Sequence, residues 1–268
     1  MISTANIILG TAFFKKNFNY RDWINDAYQL GYRHFDTANR YMNESQLGIA
    51  LKRFDRDTYL ITSKIWPCDY FKDKCIKQIK DTLTRLDINY IDVMLLHKSN
   101  GRYLEAFKEL IHGKEEGLIR YIGVSNFNIK QIEKIYETFH IYPDFNQIEV
   151  SPYYYDLDTI KYCHEHHILV QGYSPMGTKK MRNEPTLSIL ANKYHKSVSQ
   201  IILRYVYQLG VTPIVKSSNI DHLKENLEIF DFTIDDIDMD KINRLKKKDH
   251  RYIHKISWMI DARLVHKP

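Results

Sequence analysis

Short apolar segments alternate with longer segments of helical periodicity along most of the chain. Segments rich in β-branched and apolar residues predict eight strands, at 6–11, 32–36, 58–64, 90–97, 119–125, 145–149, 168–173 and 212–216. Apolar positions three to four residues apart predict helices near 20–30, 43–53, 70–87, 101–117, 128–140, 156–167, 186–209 and 219–229, and a further one at 234–245. Eight strand–helix pairs predict an α/β fold of the (β/α)8 barrel type.

An open, doubly wound sheet is the competing architecture. It would require a Gly-x-Gly-x-x-Gly pattern after the first strand, and the segment from Leu9 to Ala12 lacks that pattern. No Gly-, Ser- or Pro-rich linker divides the chain. We therefore expect a single barrel domain over 1–268, with a C-terminal tail from about 246 to 268.

Composition narrows the class of protein. Apolar residues make up 44% and charged residues 27% of the 268 residues, which is typical of a globular protein and not of a disordered or fibrous chain. The apolar run at 93–96 is far too short to span a membrane, so we expect no membrane association. The net charge of +6 comes from scattered basic residues, apart from the run at 244–248. That run is typical of a solvated helix end, so no nucleic-acid partner is expected, whereas an anionic cofactor or substrate would suit the charge.

The cysteines and the N-terminal residues indicate the cellular compartment of the protein. Cys68, Cys75 and Cys163 are odd in number and lack metal-binding spacing, which indicates a reduced intracellular protein without a metal site. The first residues lack the charged and apolar regions of a signal peptide. The sequence thus predicts a cytoplasmic protein, and no segment indicates a dedicated interface, so we expect a monomer.

Polar and titratable residues end most of the predicted strands, where the active sites of barrel enzymes lie. They are Asp36, Lys64, His97, Ser125, Asn126, Gln147, Glu149, Tyr173, Ser174, Lys216 and Ser217. Contact with solvent explains some of these residues, but not the choice of Asp, Lys and His on three successive strands. The ends of the strands are therefore the predicted site of chemistry.

Asp36, Lys64 and His97 could act in proton transfer together with Tyr41, which lies five residues after Asp36. A phenol is a weak acid at neutral pH, and a nearby ammonium group lowers its pKa. A carboxylate would keep that ammonium charged and in place, and an imidazole would orient a carbonyl oxygen. Such a group could protonate an oxygen that gains charge during reduction.

Six motifs in order resemble those of the aldo-keto reductases, over a stretch from Leu9 to about Phe232. The first runs from Gly31 through Asp36 to Tyr41 and Gly48, and the second is the strand ending in His97. The later ones lie at 119–127, 146–153, 172–177 and 216–226.

This resemblance implies a (β/α)8 barrel that reduces a small-molecule carbonyl substrate with NADPH and without a metal. Tyr41 would be the general acid, Lys64 and Asp36 would adjust its acidity, and His97 would orient the carbonyl. The implied cofactor contacts are Ser125, Asn126 and Gln147 to the nicotinamide carboxamide; Tyr173 to the nicotinamide face; Ser174, Met176 and Gly177 to the pyrophosphate; Lys216, Ser217, Asn219 and His222 near the adenosine phosphate; and Glu225 and Asn226 to the adenine.

Several positions depart from the family pattern. Lys98 follows His97 where the family often has Trp, and His222 stands where the pattern that prefers NADPH has Arg. We therefore expect NADPH to be preferred and NADH to be tolerated. Trp66 matches a common substrate-pocket aromatic residue, and Phe13 and Trp258 are further candidates for substrate contact. The resemblance also implies that the tail from about 246 to 268 helps to shape the substrate pocket.

Two alternatives remain open at this point. The first is a non-catalytic, cofactor-binding or regulatory protein on the same fold, which the complete set of Asp36, Tyr41, Lys64 and His97 argues against. The second is a barrel lyase that uses Lys64 or Lys216 as a Schiff base. The amide-binding set makes that reading less favourable.

Overall fold

Eight parallel strands close into a barrel in the computed structural model, which describes residues 6–12 and 18–247. The strands are β1 (Ile8–Gly10), β2 (His34–Asp36), β3 (Leu60–Ile65), β4 (Ile91–Leu96), β5 (Ile119–Ser125), β6 (Phe145–Glu149), β7 (Leu169–Tyr173) and β8 (Val211–Val215). Each strand pairs with its neighbours in chain order, and β8 pairs with β1. The predicted (β/α)8 barrel is confirmed.

Helices lie between and after the strands. They are α1 (Tyr20–Leu30), α2 (Glu44–Leu51), α3 (Lys72–Leu86), α4 (Tyr103–Glu115), α5 (Ile129–Phe139), α6 (Leu157–Glu165), α7 (Lys179–Arg182), α8 (Pro185–Tyr194), α9 (Val198–Gln208), α10 (Ile220–Leu227) and α11 (Asp236–Asn243). Among the described residues, no helix is both long and apolar enough to cross a membrane.

The single helix predicted over 186–209 is wrong, because the segment forms two helices. His195 adopts a left-handed conformation with φ of 53° and ends α8, and its backbone N–H bonds back to Ala191 and Asn192. Ser197 then begins α9 with a capping box, in which its side chain and that of Gln200 satisfy each other's backbone N–H groups. The short helix α7 was also not predicted.

The strand register brings the polar strand ends together. Gly10 lies opposite Asp36, Lys64 opposite Leu95, Ser125 opposite Gln147 and Glu149 opposite Tyr173. Because all the strands are parallel, these positions share the carboxyl end of the barrel. The register therefore gathers the predicted site residues at one face.

Two glycines allow close approach between elements. A Cβ on Gly48 in α2 would lie 2.3 Å from the Leu86 carbonyl oxygen, and one on Gly123 in β5 would lie 2.7 Å from the Phe145 carbonyl oxygen. Gly48 therefore allows α2 to pack directly on the end of α3. Gly123 leaves room for the neighbouring strand β6 at Phe145.

A buried carboxylate joins the amino ends of three strands. Asp92 accepts hydrogen bonds from Arg56 at 2.5 Å, from the Ile61 backbone N–H at 2.8 Å and from Arg120 at 3.3 Å. The centre of the Tyr90 ring lies 4.2 Å from the Arg56 guanidinium and 3.7 Å from that of Arg120. We call Arg56, Tyr90, Asp92 and Arg120 the amino-end clamp.

The basic run that follows α11 is only partly solvated. Lys247 places its ammonium group 3.5 Å from the centre of the Tyr153 ring, and Lys246 lies 4.4 Å from that of Tyr155. The predicted solvated helix end is thus also packed against aromatic side chains. The rest of the predicted tail lies outside the described residues.

Candidate active site

Asp36, Tyr41, Lys64 and His97 come together at the carboxyl end of the barrel. Asp36 ends β2, Lys64 is the penultimate residue of β3, and His97 follows β4 directly. Tyr41 ends a short 3₁₀ turn, Asn39–Tyr41, in the loop after β2. Adjacent parallel strands thus place three of the residues, and the loop brings the fourth.

The Lys64 ammonium is the centre of this cluster. It donates hydrogen bonds to both Asp36 carboxylate oxygens, at 2.6 and 2.8 Å, and to the Thr37 carbonyl oxygen at 2.9 Å. Its distance to the Tyr41 hydroxyl oxygen is 3.4 Å. The Lys64 side chain is 1% exposed and that of Asp36 5% exposed, so the ion pair is shielded from water.

Buried hydrogen bonds hold the loop that carries Tyr41. Thr37 donates a hydrogen bond of 2.7 Å to Asn43, and the Asn43 amide donates to the Thr11 carbonyl oxygen at 2.7 Å. Glu44, the first residue of α2, accepts a hydrogen bond of 2.6 Å from Ser63 in β3. These buried bonds hold the turn between β2 and α2, and with it the phenol, against the barrel.

The acidity of Tyr41 differs from the expectation. Burial raises the pKa of the Tyr41 phenol well above its ordinary value, and the negative charge of Asp36 raises it further. The net shift is thus opposite to the lowering expected from Lys64, because burial and the Asp36 charge outweigh any effect of the ammonium. Burial also lowers the pKa of Lys64, while Asp36 opposes that shift.

His97 stands beside Tyr41 and Trp66. Its ring centre lies 6.1 Å from that of Tyr41 and 4.9 Å from that of Trp66, with both pairs nearly perpendicular. Burial lowers the pKa of His97 well below its ordinary value, and the charges of Lys64, Lys98 and Arg40 lower it further. The imidazole is therefore neutral at physiological pH, and its Nδ1 is buried without a hydrogen-bond partner among the described residues.

Ser125, Asn126, Gln147 and Tyr173 form one connected group beside this cluster. Tyr173 donates a hydrogen bond of 2.7 Å to Asn126 Oδ1, and Asn126 Nδ2 donates to Ser125 at 3.0 Å. Gln147 Nε2 donates to Asp36 at 2.8 Å and to Gln171 at 2.9 Å. Both bonds use the nitrogen, so the carbonyl oxygen is the acceptor that the Gln147 amide could still offer. Amide and hydroxyl groups of this kind could hold a carboxamide.

The loop after β7 follows this group. Ser174 and Gly177 have positive φ angles of 54° and 46°, and the Gly177 N–H donates to the Ser174 carbonyl oxygen at 3.0 Å. Met176 packs against the apolar core. The next hydroxyl, Thr178 Oγ1, is buried with no hydrogen-bond partner among the described residues. This turn therefore presents a polar atom that a phosphate oxygen would satisfy.

Polar groups after β8 surround the start of α10. Asn219 caps this helix by accepting a hydrogen bond of 2.8 Å from the Asp221 N–H, and its own N–H donates to Ser217 at 3.0 Å. The His222 ring nitrogen lies 3.4 Å from the Ser217 hydroxyl oxygen. Lys216 precedes Ser217 on the same segment. A lysine, hydroxyl groups and a helix N-terminus form a donor set suited to a phosphate.

Glu225 and Asn226 lie on α10. The Ser197 hydroxyl donates a hydrogen bond to Glu225, and the Gln200 amide donates to the Glu225 carbonyl oxygen at 3.1 Å. Asn226 is buried beside the Tyr32 hydroxyl. Both predicted adenine contacts thus have internal partners that tie α10 to the structure around it.

Of the predicted substrate contacts, Trp66 lies in the site and is 9% exposed. Phe13 and Trp258 lie outside the described residues. Among the described residues, no three His, Cys, Asp or Glu side chains come together in a group that could hold a metal ion.

Three side chains of the site were not singled out from the sequence. Gln171 accepts a hydrogen bond from Gln147, Thr178 lies in the turn after β7, and Arg40 adjoins Tyr41 and stacks over Trp66 at 5.2 Å. A polar residue in the middle of a predicted apolar strand was the available signal for Gln171. Arg40 and Thr178 lie in loops, where sequence spacing does not show which way a side chain points.

The architecture and its strand-end chemistry define a barrel oxidoreductase, and the chain belongs to the Aldo/keto reductase family, whose model matches residues 6–247. It is 35% identical over 258 residues to the aldo-keto reductase AKR2E4 of Bombyx mori, covering 87% of this chain and 83% of that protein. It is also 35% identical over 226 residues to glyoxal reductase of Bacillus subtilis (strain 168), covering 83% of this chain and 82% of that protein.

A solved structure of the Bombyx mori protein in complex with NADP resembles this fold closely. The TM-score is 0.87 at 32% sequence identity, with 94% of this chain and 92% of that chain covered. The similarity therefore extends over the whole barrel.

Proposed function

We propose that this protein reduces aldehydes and ketones to alcohols with NADPH, and that Tyr41 supplies the proton. The observation that carries this proposal is the position of Lys64, whose ammonium joins the Asp36 carboxylate at 2.6 Å to the Tyr41 hydroxyl at 3.4 Å. Family membership and the NADP complex of the Bombyx mori relative support the same reaction and cofactor.

Bound NADPH would supply a hydride to the carbonyl carbon. Tyr41 then donates its proton to the carbonyl oxygen, which becomes the alcohol. Its raised pKa keeps the phenol protonated before the reaction, so it is loaded as an acid. Lys64 stabilises the phenolate that the transfer creates, and Asp36 holds the ammonium in position for that role.

His97 orients the substrate in this proposal. Because its pKa is lowered, the ring is neutral and can donate a hydrogen bond from one nitrogen to the carbonyl oxygen. Trp66, in edge contact with His97, forms a wall of the pocket. Phe13 and Trp258 are proposed as further substrate contacts.

The residues present fit the cofactor. We assign Ser125, Asn126 and Gln147 to the carboxamide, Tyr173 to the nicotinamide face, and the turn at Ser174, Met176 and Gly177 to the pyrophosphate. The buried, unsatisfied hydroxyl of Thr178 adds a donor to that turn. Lys216, Ser217, Asn219 and His222 would receive the adenosine phosphate, and Glu225 and Asn226 would lie at the adenine.

The Schiff-base alternative is disfavoured at Lys64. A nucleophilic amine must lose its proton, whereas this ammonium donates to three oxygen atoms of Asp36 and Thr37. A non-catalytic role would not require the shielded ion pair beside Tyr41. We therefore retain the reductase as the function.

Consumption of NADPH with a panel of aldehydes and ketones tests this proposal. We expect turnover with at least the reactive aromatic aldehydes. NADPH binding without turnover on any carbonyl would contradict it and favour the regulatory alternative.

The proposal extends to the setting of the protein. We infer a single barrel domain that acts as a monomer in the cytoplasm on a small molecule, without a nucleic-acid partner. Cys68, Cys75 and Cys163 are all free thiols, which supports a reducing compartment.

A further inference from the structure

Two cationic side chains flank Trp66 at the substrate side of the site. The Arg40 guanidinium lies 5.2 Å from the centre of the Trp66 ring, and the Lys98 ammonium lies 4.4 Å from it. Arg40 directly precedes Tyr41, and Lys98 directly follows His97. Both charges contribute to the lowered pKa of His97, so both lie near the residue proposed to orient the substrate carbonyl.

Neither cation is neutralised by a carboxylate in the part of the chain that the structure describes. Arg40 donates one weak hydrogen bond, at 3.7 Å, to the Cys68 sulfur, and its Nε is buried without a hydrogen-bond partner among the described residues. Asp69, which adjoins Cys68 in the sequence, interacts with the Cys68 thiol. Buried guanidinium nitrogen atoms ordinarily have an acceptor, so Arg40 retains a donor that the described residues do not satisfy.

Both cations stand on fixed backbone. The buried Tyr70 hydroxyl donates to the Lys98 carbonyl oxygen at 2.8 Å and accepts from the Lys98 N–H at 3.1 Å. The turn containing Arg40 is held by a hydrogen bond of 2.8 Å from Asn39 to Gln78. Binding an anion at this place would therefore require little ordering of the backbone.

We propose that the substrate is a carbonyl compound that also carries an oxyanion, a carboxylate or a phosphate. Its carbonyl would lie between Tyr41 and His97, its carbon skeleton against Trp66, and its anionic group at Arg40 and Lys98. This inference rests on the proposed reductase function and names the substrate class of the same site. Arg40 offers a planar pair of donors for an oxyanion, and Lys98 offers a second charge.

Matched substrates test the proposal at saturating NADPH. One pair is 4-carboxybenzaldehyde and its neutral methyl ester, and the other is glyceraldehyde 3-phosphate and glyceraldehyde. We expect kcat/KM to be at least about tenfold higher for the anionic member of one pair, because hydrogen bonds between charged groups are the strong ones. The pair with the larger ratio identifies carboxylate or phosphate as the anion.

Variants test whether Arg40 and Lys98 cause the preference for the anionic substrate. In Arg40→Gln and Lys98→Gln, the anionic-to-neutral ratio of kcat/KM should fall about tenfold, and the double variant should lose the preference. Lys108→Gln removes one exposed lysine from α4, on the outer helical layer, and should leave the ratio unchanged. The conservative variants Arg40→Lys and Lys98→Arg should retain part of the preference, which separates loss of charge from misfolding.

Ionic strength gives a measurement that needs no variant. The ratio for the wild-type protein should fall as salt is added, because exposed charge interactions are screened. Equal kcat/KM for anionic and neutral members, or a preference that survives in the double variant, would overturn the inference. Reduction of the neutral ester would still establish the reductase, so failure of the substrate class is distinguishable from failure of the function.

Discussion

Gln147 donates a hydrogen bond of 2.8 Å to Asp36, although the two residues lie 111 positions apart in the sequence. This bond joins the ion pair behind Tyr41 to the group assigned to the nicotinamide carboxamide. The orientation of the Gln147 amide is set by this contact, since a carboxylate can accept but not donate. The proposed proton donor and the proposed cofactor face therefore share one hydrogen-bond network.

Replacing Tyr41 with Phe should abolish most carbonyl reduction while leaving NADPH binding nearly unchanged. Loss of a positioned acid typically lowers the rate about 10²–10⁴-fold. Turnover and a fluorescence titration with NADPH measure the two effects separately. If the variant keeps more than about a tenth of the wild-type rate, Tyr41 is not the proton donor.

Asp36→Ala should destabilise the fold by about 3–5 kcal/mol, because it leaves the Lys64 charge buried without its carboxylate. Urea unfolding measures this loss. Asp81→Ala is the matched control, because it breaks an exposed ion pair with Lys77. The Lys77 side chain is 73% exposed and that of Asp81 is 40% exposed. Such an exposed pair contributes about 0–1 kcal/mol. Similar losses in the two variants would show that burial of Asp36 and Lys64 has no special energetic consequence.

The buried His34 predicts sensitivity to acid. Burial, with a contribution from Lys64, lowers its pKa from 6.5 to about 3. The unfolded chain therefore binds a proton below pH 6.5 that the folded chain does not bind. Stability from this group is complete above pH 6.5 and is lost as the pH falls toward 3, by up to about 1.4 kcal/mol per pH unit.

The slope of unfolding free energy against pH between 7 and 5 checks this expectation. His34→Gln should flatten the slope, whatever its effect on stability at neutral pH. His112→Gln, at an exposed position of α4, serves as the control and should retain the wild-type slope. A slope that His34→Gln leaves intact would assign the acid sensitivity to other groups.

Coenzyme preference should respond to position 222. His222 lies 3.4 Å from Ser217, within the donor set assigned to the adenosine phosphate. An arginine there would add a permanent charge and paired donors, so His222→Arg should raise the ratio of kcat/KM for NADPH over NADH by about tenfold or more. His222→Gln separates charge from size and should not raise it. Equal ratios in all three proteins would mean that this side chain does not face the phosphate.

Gly48→Ala should destabilise the protein by about 1–3 kcal/mol, because the new Cβ would overlap the Leu86 carbonyl oxygen. Ser45→Ala, at an exposed position of the same helix, has no such contact. Thermal unfolding of the two variants compares them directly. A Gly48 variant as stable as the Ser45 variant would mean that α2 can move away from α3 at little cost.

Strand positions could be predicted because buried parallel strands are apolar and end in polar residues. Strands 119–125 and 145–149 were predicted with the bounds that the structure has. The break between α8 and α9 could not be read from apolar periodicity, which continues through it. The left-handed turn at His195 depends on backbone geometry, although the capping pair Ser197 and Gln200 was a usable signal.

Site residues on strands were easier to predict than their electrostatics. Proximity of Lys64 to Tyr41 followed from the strand order. The direction of the Tyr41 pKa shift depends instead on burial and on the charge of Asp36, which the sequence does not show. Arg40 and Lys98 were not identified as a pair because they lie 58 residues apart, on different loops, and only Trp66 brings them together. Partners across loops are not encoded in local spacing.

The amino-end clamp of Arg56, Tyr90, Asp92 and Arg120 lies a full strand length, roughly 17–20 Å, from the proposed chemistry. It fastens β3, β4 and β5 where no substrate or cofactor would reach. Loops at the opposite end could then be exchanged while the anchoring of these strands stays intact. In evolutionary terms, the loops that set substrate specificity can diverge while the clamp that stabilises the strands is conserved. A library of variants with altered loops would therefore leave the contacts of the clamp unchanged.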